Sequence, residues 1–372
     1  MVIGVPKEIK SSENRISMTP VGVDLMVKNG HTVLVETNGG LGSGISNEEY
    51  ISAGATMIDT PKEIFERADI IIKVKEPQKS EFNLFKEGQI LYTFLHLAAE
   101  KEVTEALMDK KVTAIAYETI QLHDGSLPLL TPMSEVAGRI ATQVGATFLQ
   151  KSHGGSGILL GGVPGVLPAN VTIIGGGIVG LNSARVAIGM GADVTIFDIS
   201  KAKLIEIDNL YEGRIKTLLM NEFSLAETLK TTDLLIGGVL VTGARAPKIV
   251  KEYMVKSMSP GSVIVDVAID QGGCVETIDR VTTHADPCYE KHGVIHYSVA
   301  NMPGAVPRTS TYALTGVTIE YLLEIADKGF VQAMKDRPEL VPGLNVYDGK
   351  VTYKAVADDL GLEYMDVKEV LK

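Results

Sequence analysis

A chain of 372 residues, 45% of them hydrophobic, can bury the cores of two or three domains. Its formal net charge of −11 argues against a nucleic-acid surface, and with no Trp and 5% aromatics it offers no obvious base-stacking platform. The two cysteines, Cys274 and Cys288, make no disulfide framework or C-x-x-C zinc site and point to a reducing, cytoplasmic setting. The opening MVIGVPKE reads as a strand rather than a signal peptide. No apolar run reaches the roughly 18 residues that span a bilayer, so no membrane partner is expected.

Residues 2–5 predict a short buried strand ended by Pro6, with a charged loop over 7–17 that contains Arg15. Thr19-Pro20 opens a helix stopped by Gly30, residues 31–36 read as a strand, and a glycine-rich loop leads to a helix from Asn47. Thr60, Pro61 and Glu63 combine N-cap, first-turn proline and capping-box acid for another helix. Further strands are expected at 69–74, 89–94 and 112–116, with a helix over 100–109. This alternation implies a parallel sheet with covered faces. A helical pattern begins near Ser134, and the glycine- and proline-rich residues 152–168 have the composition of a loop between units.

Residues 171–200 read VTIIGGGIVGLNSARVAIGMGADVTIFDIS. Gly175, Gly177 and Gly180 form G-x-G-x-x-G between a β-branched strand and a helix, the context that pattern requires. The glycines allow a tight turn, backbone approach to a pyrophosphate and close helix–strand packing, while the helix N-terminus favours the phosphates. Asp198, 18 positions after Gly180, ends the next strand, where a carboxylate can accept from both ribose hydroxyls. A 2′-phosphate would meet like charge there, so NAD is favoured over NADP. Strands at 215–218, 233–236, 262–267 and 294–297 complete a Rossmann-like count. Residues 310–326 form one mostly apolar helix, and the tail beyond it is expected to pack on the first unit. The expected fold is α/β with two doubly wound parallel-sheet domains. Residues 1–128 plus 307–372 make a discontinuous catalytic domain, and 129–306 a Rossmann NAD-binding domain.

Ligands of open α/β sheets sit beyond the carboxyl ends of the strands. Arg15, Lys75, His96, Tyr117 and Asp270 all come just after predicted strands. Arg15 is a loop charge or a fork for a substrate carboxylate. Lys75 is a surface lysine or a substrate contact. His96, between Leu95 and Leu97, is a core histidine or a proton shuttle. Asp270 organises the Gly272-Gly273 turn or takes part in chemistry, Asp266 reads as structural, and Tyr117 as a core aromatic with a polar tip. Spacing alone leaves each pair of readings open. If the strand ends of the two domains face one cleft, a small substrate would lie beside the nicotinamide.

The opening GVPKEIKSSENRISMTP resembles the signature shared by alanine dehydrogenases and the first domain of pyridine-nucleotide transhydrogenase. KVKEP, LHLAA, TPMSEVAGR, GGVPGV, VTIIGGGIVG, DVAIDQGG and VANMPGAVPRTSTYALT are similar to alanine dehydrogenases in order and spacing. The resemblance implies His96 and Asp270 as catalytic residues, and Arg15 and Lys75 as substrate-binding ones. It places NAD contacts on Ser134, Ile178, Val179, Asp198, Lys203, Val239, Leu240, Val267, Ala268, Ile269, Asp270, Val299, Ala300, Asn301 and Met302. It also implies a homo-oligomer, usually a hexamer. Some members hold a metal with Glu and His on the C-terminal helix. The matching positions here are Glu324 and Lys328, so no metal is expected. The implied reaction is reversible oxidative deamination of L-alanine to pyruvate and ammonia with NAD. A transhydrogenase subunit, a saccharopine or lysine dehydrogenase and a silent NAD-binding protein are the alternatives.

Overall fold

Thr60 accepts a hydrogen bond from the Glu63 N–H at 3.4 Å and Pro61 takes the first helical position, so the helix Pro61–Arg67 starts where these signals place it. The Glu63 carboxylate, however, accepts from Arg67 Nη1 at 2.7 Å in place of closing the expected capping box. The computed structural model describes residues 1–239 and 246–372. The chain divides into two units, 1–133 with 306–372, and 134–305. Strands of the first are Val2–Val5 (β1), Thr32–Glu36 (β2), Thr56–Ile58 (β3), Ile70–Ile72 (β4), Ile90–Thr93 (β5) and Thr113–Ala116 (β6). Strands of the second are Asn170–Ile174 (β7), Asp193–Asp198 (β8), Ile215–Leu219 (β9), Leu234–Gly237 (β10), Val263–Asp266 (β11), Cys288–Lys291 (β12) and Val294–Tyr297 (β13). The tail returns Leu344–Tyr347 (β14) and Lys350–Val351 (β15) to the first unit.

The first sheet runs β15-β14-β6-β5-β4-β1-β2-β3, parallel from β6 to β3. The second runs β12-β13-β11-β10-β7-β8-β9, parallel from β13 to β9. Both sheets are flanked by helices, so the α/β class holds. Each sheet is mixed, however, because β14 and β15 and likewise β12 pair antiparallel. Both hairpins close through two-residue X-Gly turns: Asp348-Gly349 has φ 45° and 78°, and His292-Gly293 has φ 57° and 75°. Two successive positive φ values match the right-handed twist of the flanking strands.

In the first unit, Leu34, Ile64, Phe65, Leu91, Leu107 and Val346 share one buried cluster. Gly4 lets the helix Pro61–Arg67 close on β1, since a Cβ there would lie 2.6 Å from Ile64 Cγ2. The long helix Pro307–Lys328 buries Leu314, Thr318, Leu322 and Ile325, and its Thr311 Oγ1 accepts from the Ile16 N–H at 3.1 Å. In the second unit, Ile174, Phe197, Leu235 and Ile264 meet Leu225 and Met254 from the covering helices. The glycine-rich residues 152–168 are no linker, and lie wholly inside this unit. Two of their glycines serve close backbone packing, since a Cβ on Gly155 would stand 2.2 Å from the Phe148 carbonyl oxygen and one on Gly161 2.2 Å from that of Met190, while Gly154, Gly157 and Gly165 take left-handed φ values.

Beneath the loops after β1 and β4 lies a buried ionic triad. Lys73, fully buried, places Nζ 3.1 Å from Glu8 Oε2 and 3.0 Å from Glu81 Oε1. Burial works against its charge, but the two carboxylates outweigh that and hold the Lys73 pKa above the usual lysine value. Glu8 Oε1 in turn accepts from the backbone N–H of Val74 at 2.5 Å and of Lys75 at 3.3 Å. Removing the cation alone strands two carboxylates in the interior. Lys73→Met is therefore expected to lower stability by about 3–5 kcal/mol in urea titrations. A loss under ~1 kcal/mol would show that the triad is not the anchor of these loops.

Candidate active site

Strands β1, β4, β5 and β6 are neighbours in one parallel sheet, so their carboxyl ends share an edge. The segments leaving them bring Arg15, Lys75, His96 and Tyr117 to that edge. Arg15 is 2% exposed and its fork is engaged by Glu13, with Nε to Oε1 at 2.7 Å and Nη2 to Oε2 at 2.6 Å. Its Nη1 donates to Met133 Sδ at 3.1 Å. A guanidinium this deeply buried needs a paired carboxylate, and no motif in the sequence points to Glu13 as that partner. A cavity of about 20 Å³, room for one water, borders Arg15, Glu13, Glu8, Lys7 and Asn14. Lys75 is half-buried, and its carbonyl accepts from Thr93 Oγ1 at 3.1 Å, tying the segments after β4 and β5.

His96 lies three residues beyond β5, with an exposed ring stacked on Phe94 at 6.0 Å between centroids. It is no core histidine. Its φ of 52° is in the left-handed region, where a side chain other than glycine is strained by about 1–2 kcal/mol. Glu118, in the turn Tyr117–Thr119 after β6, places Oε1 4.0 Å from His96 Nδ1. Tyr117 is buried, edge-on to Tyr92 and Phe94, and burial pushes its hydroxyl pKa well up, so it stays a neutral core aromatic.

In the second unit the turn Gly175–Gly180 leaves β7 and enters the helix Ile178–Gly189. Gly175 has φ 96°, and a Cβ on Gly180 would stand 1.8 Å from the Gly175 carbonyl oxygen. Above Gly177 there is open space: a Cβ there would meet nothing within 4 Å. Ile178 is exposed and Val179 half-buried at the helix start. Asp198 ends β8, with Oδ2 accepting from the Gly176 N–H at 2.7 Å and Oδ1 from the Ser200 N–H at 2.7 Å. Each oxygen keeps a lone pair for a hydroxyl. An open glycine cradle at a helix N-terminus beside such a carboxylate fits a diphosphate with an adjoining diol.

The expected contacts that follow β10, β11 and β13 leave the sheet at the same edge. Val239 is half-buried beyond β10, whereas Leu240 falls outside the described residues. Val267, Ala268, Ile269 and Asp270 form the turn Val267–Gln271 after β11, in which Asp270 is exposed. Asp266 is fully buried and builds that turn, accepting from the backbone N–H of Ala268 at 3.0 Å and of Cys274 at 2.7 Å. Val299, Ala300, Asn301 and Met302 come after β13, with Asn301 at φ 59°. Lys203, on the helix after β8, pairs with Glu206 at 2.6 Å. Ser134 is half-buried one turn before Gly138, where a Cβ would stand 2.3 Å from the Val179 carbonyl oxygen, so it shares the helix face that meets the glycine turn.

On the helix Pro307–Lys328, the Lys328 ammonium lies 2.8 Å from Glu324 Oε2 and 2.8 Å from Asp336 Oδ2. Among the described residues no group of three or more His, Cys, Asp or Glu side chains could hold a metal ion, and no helix is long and apolar enough to cross a membrane. Glu13, Glu118 and Lys73 are what residue-by-residue reading missed. Their only sequence signals are a lysine inside the apolar run IIIKV and acids beside residues already singled out.

Two family models match, "Alanine dehydrogenase/PNT, N-terminal domain" over residues 4–137 and "Alanine dehydrogenase/PNT, C-terminal domain" over 141–354. An alanine dehydrogenase of Methanococcus maripaludis is 60% identical over 371 residues, covering 100% of both chains. One of Bacillus subtilis is 59% identical over 372 residues, covering 100% of this chain and 98% of its own. A solved L-alanine dehydrogenase structure superposes with a TM-score of 0.94 at 48% identity, covering 97% of this chain and 99% of that one. With two family models and end-to-end relatives in agreement, the chain belongs to the alanine dehydrogenase/PNT family.

Proposed function

We propose that this chain catalyses the NAD-dependent, reversible oxidative deamination of L-alanine to pyruvate and ammonia. The observation that carries the reading is the 60% identity running end to end with a protein named alanine dehydrogenase. The glycine cradle and Asp198 are the groups that would hold the NAD diphosphate and ribose. Bound NAD supplies the acceptor for the hydride that leaves the substrate Cα.

The ammonium form of alanine has no nitrogen lone pair to assist loss of hydride. His96 therefore takes a proton from that ammonium, and Nε2, the ring nitrogen away from Glu118, is the atom assigned to it. Arg15 and Lys75 bind the carboxylate and orient the Cα–H. Such placement can supply about 7–11 kcal/mol of the barrier. Asp270, with its exposed carboxylate, assists the water that adds once hydride has left. It does so by stabilising the cationic iminium that the water attacks or by accepting the water's proton at a carboxylate oxygen, and ammonia then leaves. The protein acts in the cytoplasm as a homo-oligomer, most simply a hexamer. In support, residues 159–167 expose an apolar run, with Leu159 at 66%, Val166 at 63% and Leu167 at 87% exposure.

His96→Ala and Asp270→Asn are each expected to lower kcat for alanine oxidation by roughly 10²–10⁴-fold. Near-full turnover at saturating substrate in either variant would sink that residue's assignment. Asp198→Ala should raise kcat/KM for NADP relative to NAD, since it removes the like charge facing a 2′-phosphate. An unchanged cofactor ratio would count against the hydroxyl contact. Light scattering should give a solution mass six times that of one chain, and a monomer mass would refute the assembly.

A further inference from the structure

Glu118 stands out by neither composition nor motif, yet its carboxylate faces the segment that carries His96. Oε1 accepts from the His96 N–H at 2.6 Å and from the Leu95 N–H at 3.2 Å, and Oε2 lies 3.2 Å from the Leu95 nitrogen. Two successive backbone N–H groups thus converge on one anion, as in an anion-binding nest. The glutamate side chain is 13% exposed, so the contact is largely shielded from water. Immediately beyond it the backbone turns through the left-handed φ of 52° at His96. That conformation is strained for histidine, and hydrogen bonds to an ionised acceptor are strong enough to hold it. The ring is held on its other side by stacking on Phe94, and Leu95 and Leu97 on either side are buried.

We infer that Glu118 is a positioning residue for His96: its carboxylate fixes the left-handed backbone turn that aims the imidazole at the substrate. The inference rests on the proton-transfer role proposed for His96. Glu118 touches no reacting atom and acts chiefly through the Leu95 and His96 amides, its Oε1 also lying 4.0 Å from His96 Nδ1. Its partners are 22 and 23 residues away in sequence and are joined to it by the parallel pairing of β5 and β6.

The test is a kinetic cycle on the full-length protein, with thermal melting run on each variant to confirm folding. Glu118→Ala should lower kcat for alanine oxidation by roughly 10–100-fold, the effect of losing hydrogen bonds to a charged group, and leave KM for alanine within about threefold. Glu118→Gln, which keeps Oε1 as an acceptor for both amides, should recover most of that loss. In a His96→Ala background, adding Glu118→Ala should change the residual rate by less than about twofold, because the residue it positions is gone. An equal fold-loss in both backgrounds overturns the inference while leaving the role of His96 standing. Near-wild-type turnover of His96→Ala alone overturns the role of His96, and this inference with it. A crystal structure of Glu118→Ala in which His96 keeps its left-handed φ also overturns it.

Discussion

Parallel pairing obliges every strand of a sheet to deliver the segment beyond it to the same edge, and both sheets of this protein are parallel through their centres. Residues as distant as Arg15 and His96 in one unit, or Gly175 and Asn301 in the other, are gathered at strand ends by hydrogen-bonded pairing rather than by local sequence. The buried strands supply the rigidity. Ile70, Ile71, Ile72, Leu91 and Ala114 are essentially sealed from water, so the segments they launch start from fixed positions.

Backbone chemistry then shapes the segment beyond each strand. The turn after β7 depends on glycine at two positions: Gly175 has a left-handed φ of 96°, and a Cβ on Gly180 would stand 1.8 Å from the Gly175 carbonyl oxygen. Elsewhere carboxylates do the shaping: Glu8 on the Val74 and Lys75 amides, Glu118 on Leu95 and His96, Asp266 on Ala268 and Cys274, Asp198 on Gly176 and Ser200. In each case a buried or half-buried anion is satisfied by backbone N–H groups that would otherwise be orphaned at a strand end.

The same principle makes the two units chemically different. The second presents glycines, an open helix start and a carboxylate at a strand end, a set suited to a nucleotide. The first presents the Arg15 guanidinium and the His96 imidazole, each beside an acid, and the half-buried Lys75 ammonium, a set suited to a small zwitterion. Arg15 held by Glu13 and Lys73 held by Glu8 and Glu81 show how such cations are kept charged inside a protein.

Much of this was legible in the residues themselves. The α/β alternation, the central strands, the cap at Thr60, the helix start at Asn47 and the glycine turn with Asp198 are local patterns, with periodicity and backbone sterics acting over a few positions. The antiparallel hairpins were not legible: their turns, Asp348-Gly349 and His292-Gly293, are local, but the flanking strands are too short for alternation to mark them. Composition misled at residues 152–168, where glycine serves close packing and left-handed turns inside one unit. What only the tertiary structure decided is where charge is buried and which distant groups meet: the burial of Arg15 and of Lys73 between Glu8 and Glu81, the exposure of His96 and its turn held by Glu118. Those outcomes depend largely on strand order, which brings residues far apart in sequence into hydrogen-bond contact, and no local period records it.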